Sequence, residues 1–258
     1  MMIGFPVTED KRHKYIALGP DHETPIVLLH GLFGTASNFN ALIDHFSSYR
    51  RVLMPILPIF EMSLHDVSVS GLVEYLADFI NHMELKNVHL VGNSLGGHIA
   101  LLYTLKHKEK VKSVTLTGSS GLYENAFGTS FPRREDKQYL RKKIEFTFYN
   151  RDIVTDEMVD EIYEIVNDRG KGIRIVKTAK SAIRHNMENK LHLIKVPTLL
   201  VWGVNDTITP PFVGEKFHEI LPISRLEMID KCGHAPMLEH PKLFNQIFED
   251  FINEIEDN

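Results

Sequence analysis

One cysteine in 258 residues cannot close an intramolecular disulfide, so nothing in the chain calls for an oxidising compartment, and a cytoplasmic location is expected. No apolar stretch approaches the roughly 20 residues that a membrane helix needs, so no membrane span is expected. Met1 to Pro6 is too short for the apolar part of an export signal, and the polar run Thr8 to Lys14 follows at once. Positive charge is also in short supply: 29 Lys and Arg stand against 34 Asp and Glu, a net charge of −5. The densest basic run, Arg133 to Lys143, is interrupted by Glu135 and Asp136 and reads as a solvated helix face, which excludes a nucleic-acid footprint. There is no His-Glu-x-x-His, no paired Cys-x-x-Cys and no Gly-x-Gly-x-x-Gly, so metal and dinucleotide sites have no sequence support and no cofactor is expected.

What the chain does contain is an alternation of two patterns. Short apolar runs read as buried parallel strands near Lys14 to Leu18, Ile26 to Leu29, Arg51 to Met54, Val88 to Val91, Val111 to Thr117, Thr198 to Trp202 and Arg225 to Ile229. Between them lie segments of helical period, such as Leu72, Leu76, Phe79, Ile80 and Met83, or Leu243, Ile247, Phe248, Phe251, Ile252 and Ile255. From Gly118 to Leu193 the strand rhythm stops and only amphipathic stretches remain, including Met158, Ile162, Ile165 and Val166.

Gly92-Asn93-Ser94-Leu95-Gly96 follows the strand at Val88 to Val91 and opens a helical stretch, which makes it a strand-turn-helix elbow. Such a turn is so tight that a Cβ at Gly92 or Gly96 would collide with the adjoining strand or helix. Ser94 is thereby presented at the positive end of a helix, and the Leu95 N–H is available to a developing oxyanion. Three further segments can be found without reference to the serine. Ile26 to Leu29 ends in His30-Gly31-Leu32-Phe33-Gly34, where the Leu32 N–H is a second oxyanion donor. The strand Thr198 to Trp202 runs into a loop carrying Asp206, the candidate acid. Arg225 to Ile229 leads to Asp230-Lys231-Cys232-Gly233-His234, and His234 is the candidate base.

These residues resemble the α/β-hydrolase superfamily over nearly the whole chain, and the order Ser94, Asp206, His234 is the order of that fold. Gly-Asn-Ser-x-Gly-Gly, Trp-Gly-x-x-Asp and Cys-Gly-His followed by Glu239-His240-Pro241 look most like the meta-cleavage-product hydrolases, which cut carbon–carbon bonds, and the small carboxylesterases beside them. Two positions depart from the carbon–carbon enzymes. Their glycine-rich oxyanion loop is here Leu32-Phe33, and the tryptophan that often follows their histidine is Ala235. The resemblance implies one α/β domain: a mostly parallel sheet flanked by helices, with residues 1–117 and 194–258 as core. It also implies a helical cap, residues 118–193, inserted after the sixth strand and covering the active site. Phe33, Phe127 and Phe148 are candidate pocket residues.

In the resulting reading Ser94 attacks a carbonyl, His234 carries its proton to the leaving group, and Asp206 orients the imidazole. The substrate is a small-molecule ester or thioester. Two readings stand beside it: hydrolysis of a carbon–carbon bond in a vinylogous diketone acid, and a ligand-binding protein that retains the hydrolase shell. A carboxylate after the strand Val111 to Thr117 would rival Asp206, but none occurs before Glu124. His30 reads as a structural support of the oxyanion loop, His98 as a packed or solvent-facing helix residue, His240 as a helix-entry residue and Cys232 as a small buried support. Arg174 and Arg184 could clamp a substrate carboxylate or be ordinary surface arginines.

Overall fold

A strand whose residues can bury on both faces is stable only when helices cover both sides of its sheet. The computed structural model, which describes residues 4–33, 36–123 and 135–257, has that arrangement. Among the described residues the strands are β1 (Thr8–Glu9), β2 (Lys14–Leu18), β3 (Ile26–Leu29), β4 (Val52–Pro55), β5 (Val88–Asn93), β6 (Val111–Thr117), β7 (Thr198–Gly203) and β8 (Ser224–Ile229). They form one sheet in the order β1-β2-β4-β3-β5-β6-β7-β8. The pairings β1–β2 and β2–β4 are antiparallel, and every pairing from β4 to β8 is parallel. The strand at β1 escaped the sequence reading because its two residues are exposed and carry no apolar signal.

The helices are α1 (Asn40–Phe46), α2 (Val69–His82), α3 (Leu95–Lys106), α4 (Lys137–Glu145), α5 (Asp156–Asn167), α6 (Arg169–Arg184), α7 (Pro211–Ile220), α8 (Pro236–Glu239) and α9 (Pro241–Glu256). Strand alternation divides the core. Val27 and Leu29 pack with α2, α3 and α7, whereas Ile26 and Leu28 pack with α1, α8 and α9. On α9 the buried stripe is Phe244, Ile247, Phe248, Phe251 and Ile252, while Leu243, expected on that face, is exposed. Each fully buried phenylalanine or leucine of these layers stabilises the fold by about 1.5 to 3 kcal/mol. No helix among the described residues is long and apolar enough to cross a membrane.

The interval from β6 to β7 contains α4, α5 and α6 and, among the described residues, no strand. Each helix has a side-chain N-cap: Asp136 accepts from the Tyr139 N–H, Thr155 from Met158 and Asp168 from Lys171. Ile144, Val154 and Val159 form a small apolar cluster there. The insert is tied to α2 through Ser181, whose hydroxyl accepts the Val69 N–H at 3.1 Å.

Register decides where the loops meet. Leu29 pairs with Gly92, Asn93 with Thr117, Thr117 with Val201 and Gly203 with Ile229, so the strand ends fall on one rim. From β3 the chain crosses to β4 on one side, while β5 lies on the other. The crevice between β3 and β5 is therefore the topological switch point at which open α/β sheets bind ligands.

Candidate active site

Ser94 occupies that crevice at the end of β5. Its φ of 53° and ψ of −117° place a non-glycine residue in a strained backbone region, which costs on the order of 1 to 3 kcal/mol and persists only because the surroundings impose it. They do so at close range, since a Cβ on Gly96 would stand 2.0 Å from the Leu29 carbonyl oxygen. The Ser94 N–H donates to Thr117 O at 3.1 Å, and its carbonyl accepts from Gly97, His98 and Ser120. Asn93 and Leu95 are buried on either side, while Ser94 remains partly exposed. A Cβ built on Gly31 would come within 3.3 Å of Ser94 Cβ, which sets the loop after β3 directly beside the elbow. Among the described residues the N–H groups of Leu32 and Leu95 have no hydrogen-bond acceptor, so both remain available to an oxyanion.

Asp206 and His234 meet across the ends of β7 and β8. His234 Nδ1 lies 2.9 Å from Asp206 Oδ2, with both side chains buried. A carboxylate can only accept, so Nδ1 carries the hydrogen, and in the neutral ring the lone pair is then on Nε2. The other carboxylate oxygen is held by the N–H groups of Ile208 at 2.8 Å and Thr209 at 2.9 Å, and the Thr209 hydroxyl donates to Oδ2 at 2.9 Å. Asp230, nearer to His234 in sequence, is exposed. Gly118, with a φ of +50°, lies between the two halves of the site: a Cβ there would be 2.7 Å from His234 Nδ1, and the preceding Thr117 holds the Ser94 amide. Among the described residues Ser94 Oγ and His234 are not hydrogen-bonded; in the absence of substrate that bond is commonly long.

Supporting contacts reach far along the chain. Asn93 Nδ2 donates to Thr117 O at 3.0 Å and to His234 O at 3.1 Å, tying the elbow to the histidine loop. Glu239 accepts the Gly233 N–H at 2.7 Å through one oxygen and the Tyr149 and Asn150 N–H groups at 2.8 and 3.1 Å through the other. The His234 N–H donates to Thr147 O at 2.9 Å, so the histidine loop and the segment after α4 are held together on both sides. His30 receives the Leu57 N–H on Nε2 at 3.1 Å and donates from Nδ1 to Gly31 O at 2.8 Å. Burial lowers its pKa, which keeps it in that neutral tautomer. In the apolar run Pro55 to Phe60, Leu57 and Ile59 are buried, and the backbone of the run supplies the donor that orients the His30 ring.

Of the three phenylalanines that the sequence offers as pocket candidates, Phe33 is half-buried in the loop after β3, and Phe127 lies outside the described residues. Phe148 packs between the α9-side core and the small cluster of the insert. Cys232 is buried, and burial raises the pKa of its thiol. His98 is fully buried with Nε2 2.9 Å from His185 O, and burial pushes its pKa down to about 4. His240 precedes α9 and bonds the Lys231 carbonyl at 2.9 Å. Arg174 is engaged with the carbonyls of Met62 and Gly170, and Arg184 is exposed. The contributions of Asn93, Thr209, Gly118 and Glu239 were not foreseen. Two of them carry a sequence signal: Asn93 stands in the Gly-Asn-Ser-x-Gly-Gly motif and Glu239 in the Glu-His-Pro run after the histidine.

The geometry agrees with the kinship of the chain. A solved structure of an α/β hydrolase from the metagenome of sediments of the Mar Chica lagoon, Morocco, superposes with a TM-score of 0.80 at 42% identity, over 97% of this chain and 99% of the other. The pimeloyl-acyl-carrier-protein methyl ester esterase of Neisseria meningitidis is 30% identical over 203 residues, 72% of this chain and 63% of its own length. A 2-hydroxy-6-oxononadienedioate hydrolase of a Pseudomonas species is 26% identical over 247 residues, 88% of this chain and 87% of its own length. The α/β-hydrolase-fold family matches residues 24–150 and 146–241, and the chain belongs to that family.

Proposed function

We propose that this protein is a cofactor-independent serine hydrolase that cleaves a small to medium carboxylic ester or thioester through an acyl-enzyme. His234 Nε2 takes the Ser94 proton as Oγ attacks the carbonyl carbon, and the resulting oxyanion is held by the N–H groups of Leu32 and Leu95. The proton passes to the departing alcohol or thiol, leaving Ser94 acylated. Water then attacks the acyl carbon with His234 again as base, and the acid leaves. Asp206 holds the imidazole tautomer and stabilises the imidazolium. The observation that carries this reading is the buried Asp206–His234 hydrogen bond at the strand ends beside the strained serine elbow.

The helices between β6 and β7, within residues 118–193, act in this reading as a cap that bounds the acyl side of the pocket. The similarity to the methyl ester esterase supports ester chemistry. The similarity to the dienedioate hydrolase supports carbon–carbon bond hydrolysis as the second reading. Against it stands Arg174, whose guanidinium is engaged by backbone carbonyls and is not free for a substrate carboxylate. A cytoplasmic setting accords with the single, buried cysteine. The test is labelling by a fluorophosphonate probe, followed by kcat/KM on p-nitrophenyl esters of graded chain length and on one vinylogous diketone acid. Labelling at Ser94 with ester turnover is expected. No labelling would leave a binding protein with a hydrolase shell, and turnover of the diketone acid alone would select the second reading.

A further inference from the structure

At the sheet edge opposite β8, the turn between β1 and β2 meets the last residue of α2. Asp10 forms this turn, its Oδ1 accepting the N–H groups of Arg12 and His13 at 2.7 Å each. Its other oxygen therefore faces away from the turn and lies 2.8 Å from Nε2 of His82. His13, nearly fully buried, stands on an aromatic floor with ring centroids 5.1 Å from Tyr75 and 5.4 Å from Phe79, and its ring is 5.1 Å from that of His82. Its Nε2 is 3.3 Å from Asp78 Oδ2, and its Nδ1 is buried without a hydrogen-bond partner among the described residues. One ligand atom from each of Asp10, His13 and His82 falls within 4.8 Å of the other two.

We propose that Asp10, His13 and His82 bind a divalent transition-metal ion of the zinc type, which staples the β1–β2 turn to the end of α2. Two imidazoles and one carboxylate are the donor set such ions prefer, and a water completes four-coordination. Ligands about 2.0 Å from zinc in a tetrahedron stand roughly 3.3 Å apart, so the trio closes by small rotations of the partly exposed His82 and Asp10. A ligating histidine usually donates its other ring N–H to a carboxylate, and Asp78 holds that position on His13, leaving Nδ1 as the ligating atom. Arg12, 3.6 Å from Asp78, balances the second carboxylate.

No local motif announces the site, because Asp10 and His82 are 72 residues apart and only folding brings them together. It is also separate from the serine elbow. Three strand spacings lie between β2 and β5, roughly 14 Å at about 4.8 Å each.

The test uses the full-length, tag-free protein after chelator dialysis, titrated with ZnCl2 by calorimetry and followed by thermal melting. Saturable binding of one zinc per chain with a raised Tm is expected, and MgCl2 should give neither. His82→Ala and Asp10→Asn should each weaken zinc binding at least tenfold and remove the Tm rise, with ester turnover of the metal-free variants unchanged. His82 lies at a helix end, and asparagine preserves the turn made by Asp10, so a folding failure in one variant leaves the other to decide. Absence of a one-to-one zinc isotherm in the parent chain would overturn the proposal, and so would undiminished binding in both variants.

Discussion

Asp206→Asn is the sharpest perturbation of the proposed chemistry, because the surrounding hydrogen bonds dictate how the new amide must lie. In the parent chain Oδ1 accepts two backbone N–H groups, from Ile208 and Thr209, and Oδ2 accepts His234 Nδ1–H. An asparagine oxygen must take the first position, since an NH2 group there would confront two buried donors. Turning the amide round would leave those donors unsatisfied at about 1 to 3 kcal/mol each, or roughly 2 to 6 kcal/mol together. The NH2 group then faces His234 and donates to Nδ1, which moves the imidazole hydrogen to Nε2. A protonated Nε2 cannot take the Ser94 proton, and the imidazolium also loses its carboxylate. The expected loss in kcat is about 10³- to 10⁴-fold, equivalent to roughly 4 to 5.5 kcal/mol of barrier. The assay is steady-state hydrolysis of a p-nitrophenyl ester, with thermal melting to confirm the fold and the exposed Asp230→Asn as control. A Asp206→Asn rate within tenfold of the parent, or an equal defect in Asp230→Asn, would refute the assignment of Asp206.

Ser94→Ala should lower ester turnover by roughly 10⁴-fold or more and abolish fluorophosphonate labelling, and adding His234→Ala should cost little further, because a triad acts as one unit; losses that multiply would indicate independent roles. Glu239→Gln keeps one carbonyl oxygen where two carboxylate oxygens now serve Gly233 and the Tyr149–Asn150 pair. Urea unfolding should register about 1 to 3 kcal/mol of destabilisation, and an unchanged midpoint would mean that the tether carries no weight. Phe127→Ala and Phe148→Ala should shift acyl-chain preference by about 1 to 3 kcal/mol per methylene fitted, measured as kcat/KM across an acyl series; an unchanged profile would reduce these residues to packing between insert and core. Glu256 lies against Arg50, His89 and Thr24. Burial alone would raise its pKa, but these partners together hold it well below the ordinary carboxylate range. A depressed carboxylate stabilises the fold above its unfolded pKa and loses that contribution as pH falls through the folded value, so Tm should drop more steeply below about pH 4.3 in the parent than in Glu256→Gln. Parallel Tm curves would contradict this.

The sequence alone determined the strand-and-helix alternation, the elbow at Ser94 and the order in which serine, aspartate and histidine follow one another. These are local signals: an apolar run fits a doubly covered strand, and a glycine-flanked serine fits only a turn with no room for a Cβ. Among the described residues, seven of the eight strands are legible for that reason, and β1 is not, because two exposed polar residues have no periodicity. Tertiary structure decided the rest. Asn93 reaches the carbonyl of a residue 141 positions away, and Glu239 reaches amides 89 and 90 positions back. Polar side chains such as these have the same composition and spacing whether they face solvent or hold a loop. Their partners are chosen only when strand register brings distant chain ends to one rim, where an unpaired buried donor or acceptor costs enough to make each bond specific. His30 shows the same division: its place after β3 is readable in the chain, but its tautomer depends on the Leu57 N–H delivered by the loop after β4.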